Sequence, residues 1–560
     1  MGAFADKFSA WSDAYRLLAA AHPVPVVLYL LSMALLILLF AVSLARGRTR
    51  QAFWCVIGLF LVNIGCASGE DIEIHIYRTI VIADQVRHGA LSLLVSDVAA
   101  GDSLPVFAFY GFTPYLLPGA LDLTGLSGHL SVTLSLCLTF LILALGVGRV
   151  VESMPEEGDR AASLHRRYLA AILFVSANYV LGLWTQRSAL AEIWVYALVP
   201  WVVVALSAPR RKWLLTALLF LQLSMHPVVF AHGFICALVV AIGLSREAPA
   251  EIVRRCAAPF GIAVVLGLPF WLPPFLFKGA ILGLTALPIR FEDTFLSIGD
   301  LLSRRHMRNL GLCLPLAVVV AAVGFRPASP WRFRMLAAGF VFAMLLQTTI
   351  LRDLALDIPL LHYSVFVWRL MLPAAFVAFG ALLAMGAARV PALRPALAAL
   401  ALLSTVNAMV ILLGGAPAAI GYSVTAPDDA SELRDYAGRN KIWGRREYMP
   451  DYSGLPTACE SEAPLARFED VRKGVAVTTP YVRIPNGPVG PVTYAANGQR
   501  LPPKTCDGDL VLGPLPAGAT VQASEGDLTW LLLVRVACVL AGLAMLGVGM
   551  AGRPARAPAP

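Results

Sequence analysis

The chain has 560 residues, of which 58% are hydrophobic and only 14% charged, and its mean hydropathy is +0.73. A soluble globular protein is nearer a quarter charged, so the composition excludes that class and predicts an all-α polytopic membrane protein. The net charge of +9 does not imply a nucleic-acid partner, because the basic residues collect in short loops between apolar runs, as membrane topology requires.

Residues 1–23 carry charge and aromatics in place of a short apolar core. They read as an interfacial amphipathic segment with no cleavable signal peptide. Charge-poor stretches then predict thirteen spans, at 24–46, 53–68, 127–150, 167–184, 189–207, 213–228, 229–245, 258–277, 309–325, 333–350, 365–387, 395–415 and 528–550. Seven basic segments (46–50, 165–167, 209–212, 246–255, 326–334, 388–394 and 552–556) fall at alternate turns and so share one side, which the positive-inside rule makes cytoplasmic. The other side receives the N-terminus, a first loop at 69–126, the turn at 185–187, loops at 278–308 and 351–364, and a segment at 416–527. That last segment, rich in Pro, Gly, Thr and Val, predicts a small β-rich extracytoplasmic domain. Residues 528–560 return the chain as a final helix and tail. Seven of the nine cysteines lie in or beside apolar runs and read as small hydrophobes. Cys459 and Cys506 fall in the polar segment, and whether they pair is left open.

The first loop opens with GEDIEIHIYR (69–78), two acids, a histidine and an arginine after an apolar run. As a helix, it puts Asp71, His75 and Arg78 on one face and Ile72, Ile76 and Ile80 on another. As a strand, the alternation of Ile72, Ile74 and Ile76 also works. A solvated helix cap accounts for the acids as well as a functional site does.

The loop continues to Gly89 and to FAFYGFTPY (107–115). Beyond it come Arg187 and Glu192 in RSALAEIWVYALVPW, SMHP (224–227), Trp368 and Arg369 in LHYSVFVWRLMLP, and REYMP (446–450). In this order the stretches resemble the membrane proteins known as 6-pyruvoyl-tetrahydropterin-synthase-related, within the GT-C class of polytopic glycosyltransferases. The chain has His and Val where that family usually has Gln and Pro ahead of Trp368. The resemblance implies an inverting transfer of sugar from a polyprenyl-phosphate-linked donor to a glycan, lipid or protein acceptor on the outer face of the inner (plasma) membrane.

Such chemistry needs a carboxylate to take the acceptor's proton, for which Asp71 is the candidate and Glu70 the reserve. It needs planar cations to hold the leaving phosphate, for which Arg78, Arg187 and Arg369 are candidates, with Arg290, Arg304 and Arg305 as further options. His75, Glu192, His226 and Trp368 complete the expected substrate and phosphate site. Plainer readings stand beside these: Arg187–Glu192 as an interfacial ion pair, His226 and His232 as caps or backbone partners, and Trp368 as an interface anchor. No metal ligand and no cofactor is assigned: Glu292 and Asp293 offer a divalent cation a place beside a phosphate, but a solvated loop is their plainer and preferred reading. The competing function classes are a transporter or flippase of lipid-linked glycans and a non-catalytic scaffold for envelope assembly. The clustering of polar residues on one face, with few charges mid-span, favours chemistry over passage.

Overall fold

The computed structural model describes residues 2–65, 69, 71–89, 95–96, 103–104, 107, 111–154, 159–208, 211–276, 291–302, 310–327, 330–358, 361, 366–388, 392–425, 463–466, 468–485, 492–506, 509–524 and 526–551. Helices dominate. In chain order the ones that build the bundle and the site are α1 (Gly2–Ala21), α2 (Pro23–Ala45), α3 (Thr49–Ile64), α4 (Ile72–Arg87), α5 (Leu116–Leu123), α6 (Gly128–Ser153), α7 (Arg160–Val175) and α8 (Leu190–Leu206). They continue as α9 (Lys212–Met225), α10 (Pro227–Leu244), α11 (Pro249–Leu266), α12 (Leu268–Trp271), α13 (Cys313–Gly324), α14 (Pro330–Leu345), α15 (Met371–Leu383), α16 (Leu393–Thr425) and α17 (Gly526–Ala551).

Apart from Glu192 in its first turn, helix α8 is apolar all round and buried on nearly every face, as a central helix must be. It packs on α6, α9 and α10, while α17 lies along α9 and α15 lies against α14. A second, smaller core of Phe291, Leu346, Ala355, Leu361, Val367 and Leu370 supports the turn that precedes α15.

Among the described residues five helices are long and apolar enough to cross a membrane: α2, α6, α10, Leu393–Pro417 of α16 and Trp530–Met550 of α17. A sixth arises if α7 and the bent segment Asn178–Arg187 count as one. The thirteen spans expected from hydropathy are a finer count than these helices support. The other apolar runs are cut short: α9 has 14 residues and α13 has 12. At about 1.5 Å per residue neither reaches ~30 Å, the thickness of a hydrocarbon core. The cuts have local causes. Helix α9 ends where Pro227 opens α10, and the expected span at 258–277 is divided by Gly267, Pro269 and the pair Pro273–Pro274.

The two ends of the bundle differ in chemistry. At one end Arg50 and Arg149 reach Glu152, which also accepts from the Tyr168 hydroxyl, and His165 approaches the Gly47 carbonyl. There, too, Arg255 pairs with Glu247 and donates to the Leu206 carbonyl that ends α8. The segments 46–50, 165–167 and 246–255 thus lie where helices α2, α6 and α8 finish. Asp71, Arg187 and Glu192 lie at the opposite end, where α3 finishes and α8 begins.

Near the C-terminus, the expected β region consists of two antiparallel sheets. The strands are β1 (Val475–Val477), β2 (Val482–Pro485), β3 (Thr493–Ala496), β4 (Gln499–Leu501), β5 (Lys504–Cys506), β6 (Asp509–Leu512) and β7 (Ala519–Ser524), in the orders β1-β7-β3-β4 and β2-β6-β5. Asn497 and Gly498, both at positive φ, close the β3–β4 hairpin with the two-residue turn that the Asn-Gly pair favours. Cys506 is disulfide-bonded, whereas Cys459 lies outside the described residues.

Candidate functional site

GEDIEIHIYR is helical from Ile72 onward, which decides between the helix and strand readings. Asp71 occupies the N-cap position of α4, but its side chain makes no capping bond. Its carboxylate turns away to Arg187, whose Nη2 lies 3.4 Å from Oδ2, and its backbone N–H donates to the Arg187 carbonyl at 2.9 Å. The turn that presents Arg187 is a π-helical bulge, Leu183–Arg187, closed by Ser188 in the left-handed region at φ 53°. Gly69 lies flush against this turn: a Cβ there would stand 2.2 Å from the Ser188 Oγ and 2.7 Å from the Arg187 carbonyl carbon. Only glycine lets the start of α4 approach so closely.

Arg187 bonds Glu192 in the bidentate geometry that suits guanidinium and carboxylate, with Nη1 3.1 Å from Oε2 and Nη2 3.0 Å from Oε1. Arg369 adds its Nε at 2.7 Å and its Nη2 at 2.6 Å to the same Oε1. The turn Val367–Leu370 holds Arg369 in place, its carbonyl accepting from the Tyr196 hydroxyl at 3.0 Å. Asp71, Arg187, Glu192 and Arg369 therefore form one continuous ionic chain. Exposure separates the two acids: the Asp71 side chain is 40% exposed, that of Glu192 only 2%.

A second network adjoins the first. The Leu190 N–H, at the start of α8, donates to His75 Nε2 at 3.1 Å, so the ring proton belongs on Nδ1, which donates to the Tyr115 hydroxyl at 2.8 Å. Arg78 donates to the same hydroxyl from Nη1 at 3.0 Å. Burial, then the neighbouring Arg78 and Arg187 cations, hold the His75 pKa well below the ordinary histidine range, so the ring stays neutral. Burial likewise raises the Tyr115 pKa, against the pull of Arg78.

The structure thus brings together Asp71, His75, Arg78, Arg187, Glu192 and Arg369. His226 caps α10, its Nδ1 accepting from the Val229 N–H at 3.4 Å, which is its plainer reading, although it lies near enough to feel the charges of Arg369 and Glu192. Trp368 stacks on Phe366, whose ring also carries the Arg369 guanidinium 5.4 Å from its centre. Glu292 and Asp293 are exposed in a short turn, Phe291–Asp293. Glu70, Arg290, Arg304 and Arg305 lie outside the described residues. Among the described residues no three His, Cys, Asp or Glu side chains are grouped to hold a metal ion. Tyr115 and Tyr196 join the site without having been expected there, although Tyr115 closes the stretch FAFYGFTPY.

The fold and site define a helical chain with several helices able to span a membrane and a charged cluster, open on the Asp71 side, at one end of the bundle. No protein-family model matches the chain, and no curated protein matches it.

Glu192→Gln leaves two buried guanidinium groups facing a neutral amide, and breaking one partner of such a pair costs roughly 3–5 kcal/mol. Thermal melts in detergent should show that loss, and adding Arg187→Gln should recover part of it. The depressed pKa of His75 also has a sign. The unfolded chain, with its histidine near ~6.5, binds more protons than the folded one below that pH. The His75 contribution to stability is therefore complete above ~6.5 and falls away at lower pH. Nitrogen resonances of labelled histidine, with the His75 signal assigned by its loss in His75→Gln, should show that ring keeping a single neutral tautomer from pH 8 down to 5.5.

Proposed function

We propose that this chain is an integral-membrane glycosyltransferase of the GT-C type that takes sugar from a polyprenyl-phosphate donor. In this reading the chain crosses the plasma membrane several times, with the N-terminus and the charged cluster outside and the basic end in the cytoplasm. The motif order in the sequence supports the class, and the segregation of basic loops from the cluster supports the sidedness.

The observation that carries the reading is the behaviour of Asp71. A carboxylate whose role was to cap α4 would accept from the first free N–H groups of that helix. The Asp71 carboxylate makes no such bond and is the accessible acid of the ionic chain. In the proposed reaction it takes the proton of the acceptor hydroxyl as that oxygen attacks the anomeric carbon and the bond to the lipid phosphate breaks. Glu192 is too buried to meet a substrate. It fixes the forks of Arg187 and Arg369 so that they face the departing phosphate without reorganising. The neutral His75 and Tyr115 hold Arg78 and the entry of α8 in register.

Asp71→Asn is nearly isosteric, so folding and donor binding should persist while transfer falls by about 10²–10⁴-fold, the usual contribution of a general base. Transfer from a synthetic polyprenyl-phosphate sugar, with donor binding measured separately, checks this. Unchanged transfer in that variant removes Asp71 from the chemistry. Arg369→Lys keeps the charge but loses the fork to Glu192. It should lose at least tenfold in transfer, and near-normal turnover would reduce Arg369 to an anchor.

A further inference from the structure

The final helix carries a buried cation outside the charged cluster. Of the Trp530–Met550 stretch of α17, only 22% is buried against the rest of the chain, yet Arg535 is fully enclosed. A buried guanidinium within an apolar helix is costly and calls for a compensating role. Its Nε donates to the Pro269 carbonyl at 2.7 Å, its Nη1 donates to the Phe107 carbonyl, and its plane lies 5.2 Å from the centre of the Phe270 ring.

The Pro269 acceptor has a covalent origin. In a continuous helix the Pro269 carbonyl would accept from the backbone four residues on, but that residue is Pro273, which has no N–H. The proline break thus strands a carbonyl, and Arg535 satisfies it. The second acceptor leads to the site. The Phe107 ring lies 5.6 Å from the Tyr115 ring, and the Tyr115 hydroxyl receives both His75 and Arg78. Phe270, beneath the guanidinium, stacks on Phe112 three residues before Tyr115.

We propose that Arg535 is a positioning residue for the candidate site: by holding the Phe107 carbonyl and the Pro269–Phe270 break, it sets where Tyr115 stands and hence how His75 and Arg78 are aimed. The same bond ties the site to the helix that leaves the C-terminal sheets. The consequence for turnover rests on the glycosyltransferase reading; the consequence for His75 does not.

The test uses the full chain in detergent or lipid, with nitrogen-labelled histidine and the His75 signal assigned by its loss in His75→Gln. In Arg535→Met the two carbonyls lose their donor. The His75 nitrogens should then leave the single-tautomer pattern, as they should in Tyr115→Phe, while His165 at the far end of the bundle stays unchanged. Arg535→Lys retains one donor group and should give a smaller displacement, which keeps the test available if the methionine variant does not fold. Transfer should fall by about tenfold or more in Arg535→Met, since displacements near 1 Å can cost ~10²-fold, and should fall no further when Tyr115→Phe is already present. A lower melting temperature with an unmoved His75 signal overturns the proposal and makes Arg535 a packing residue. A moved His75 signal without detectable transfer in the parent protein leaves the positioning role standing and counts against the enzyme reading alone.

Discussion

The arrangement at this end of the bundle depends on one buried carboxylate. Glu192 sits in the first turn of the central helix and binds two guanidinium groups from distant parts of the chain, Arg187 just before that helix and Arg369 just before α15. Desolvating any one of these charges alone would cost several kcal/mol, so each is tolerable only because the others are present. The pairing therefore fixes more than two side chains. It fixes where the π-helical bulge ends, where the 367–370 turn meets α8, and, through the Arg187 carbonyl, where α4 begins.

The sequence announced this cluster because charge is conspicuous in an apolar chain. Asp71, His75 and Arg78 stand out after an apolar run, as do Arg187 and Glu192 five residues apart, and all are adjacent in space. Their division of labour was not legible. Nothing in the residue types says that Glu192 is enclosed and Asp71 open, because exposure depends on which helices come to cover each position. Tyr115, Tyr196 and Arg535 were missed for a related reason. No local pattern distinguishes these two among 15 tyrosines, and although Arg535 stands alone in an apolar run, nothing local names the distant carbonyls it meets.

The fold shows the same division. The β strands near the C-terminus were legible from alternation and from Asn497–Gly498, because a two-residue turn is a local event. The span count was not, because hydropathy averages over windows and ignores what ends a helix. The stretch around Gly267, Pro269 and Pro273 is apolar enough to read as membrane-crossing, yet it holds a break on which the structure builds. The run read as ending at 184 bends at Ser176–Ala177, where the Ser176 hydroxyl donates to the Ile172 carbonyl and accepts from the Ser404 hydroxyl of α16.

The position of Arg535 along the chain bears on how such a protein is assembled. Its two acceptors lie 266 and 428 residues earlier, so both are synthesised long before the arginine emerges. A helix carrying an arginine meets an insertion penalty if it enters lipid alone, here below the roughly 2.5–3.5 kcal/mol of a central position because Arg535 lies near one end of the apolar stretch. Because α17 follows both acceptors in the chain, it can enter beside a bundle that already displays the stranded Pro269 carbonyl, and the penalty is met by a binding event. Order of synthesis is thus part of the energetics: the same helix placed first in the chain would enter with its guanidinium unsatisfied.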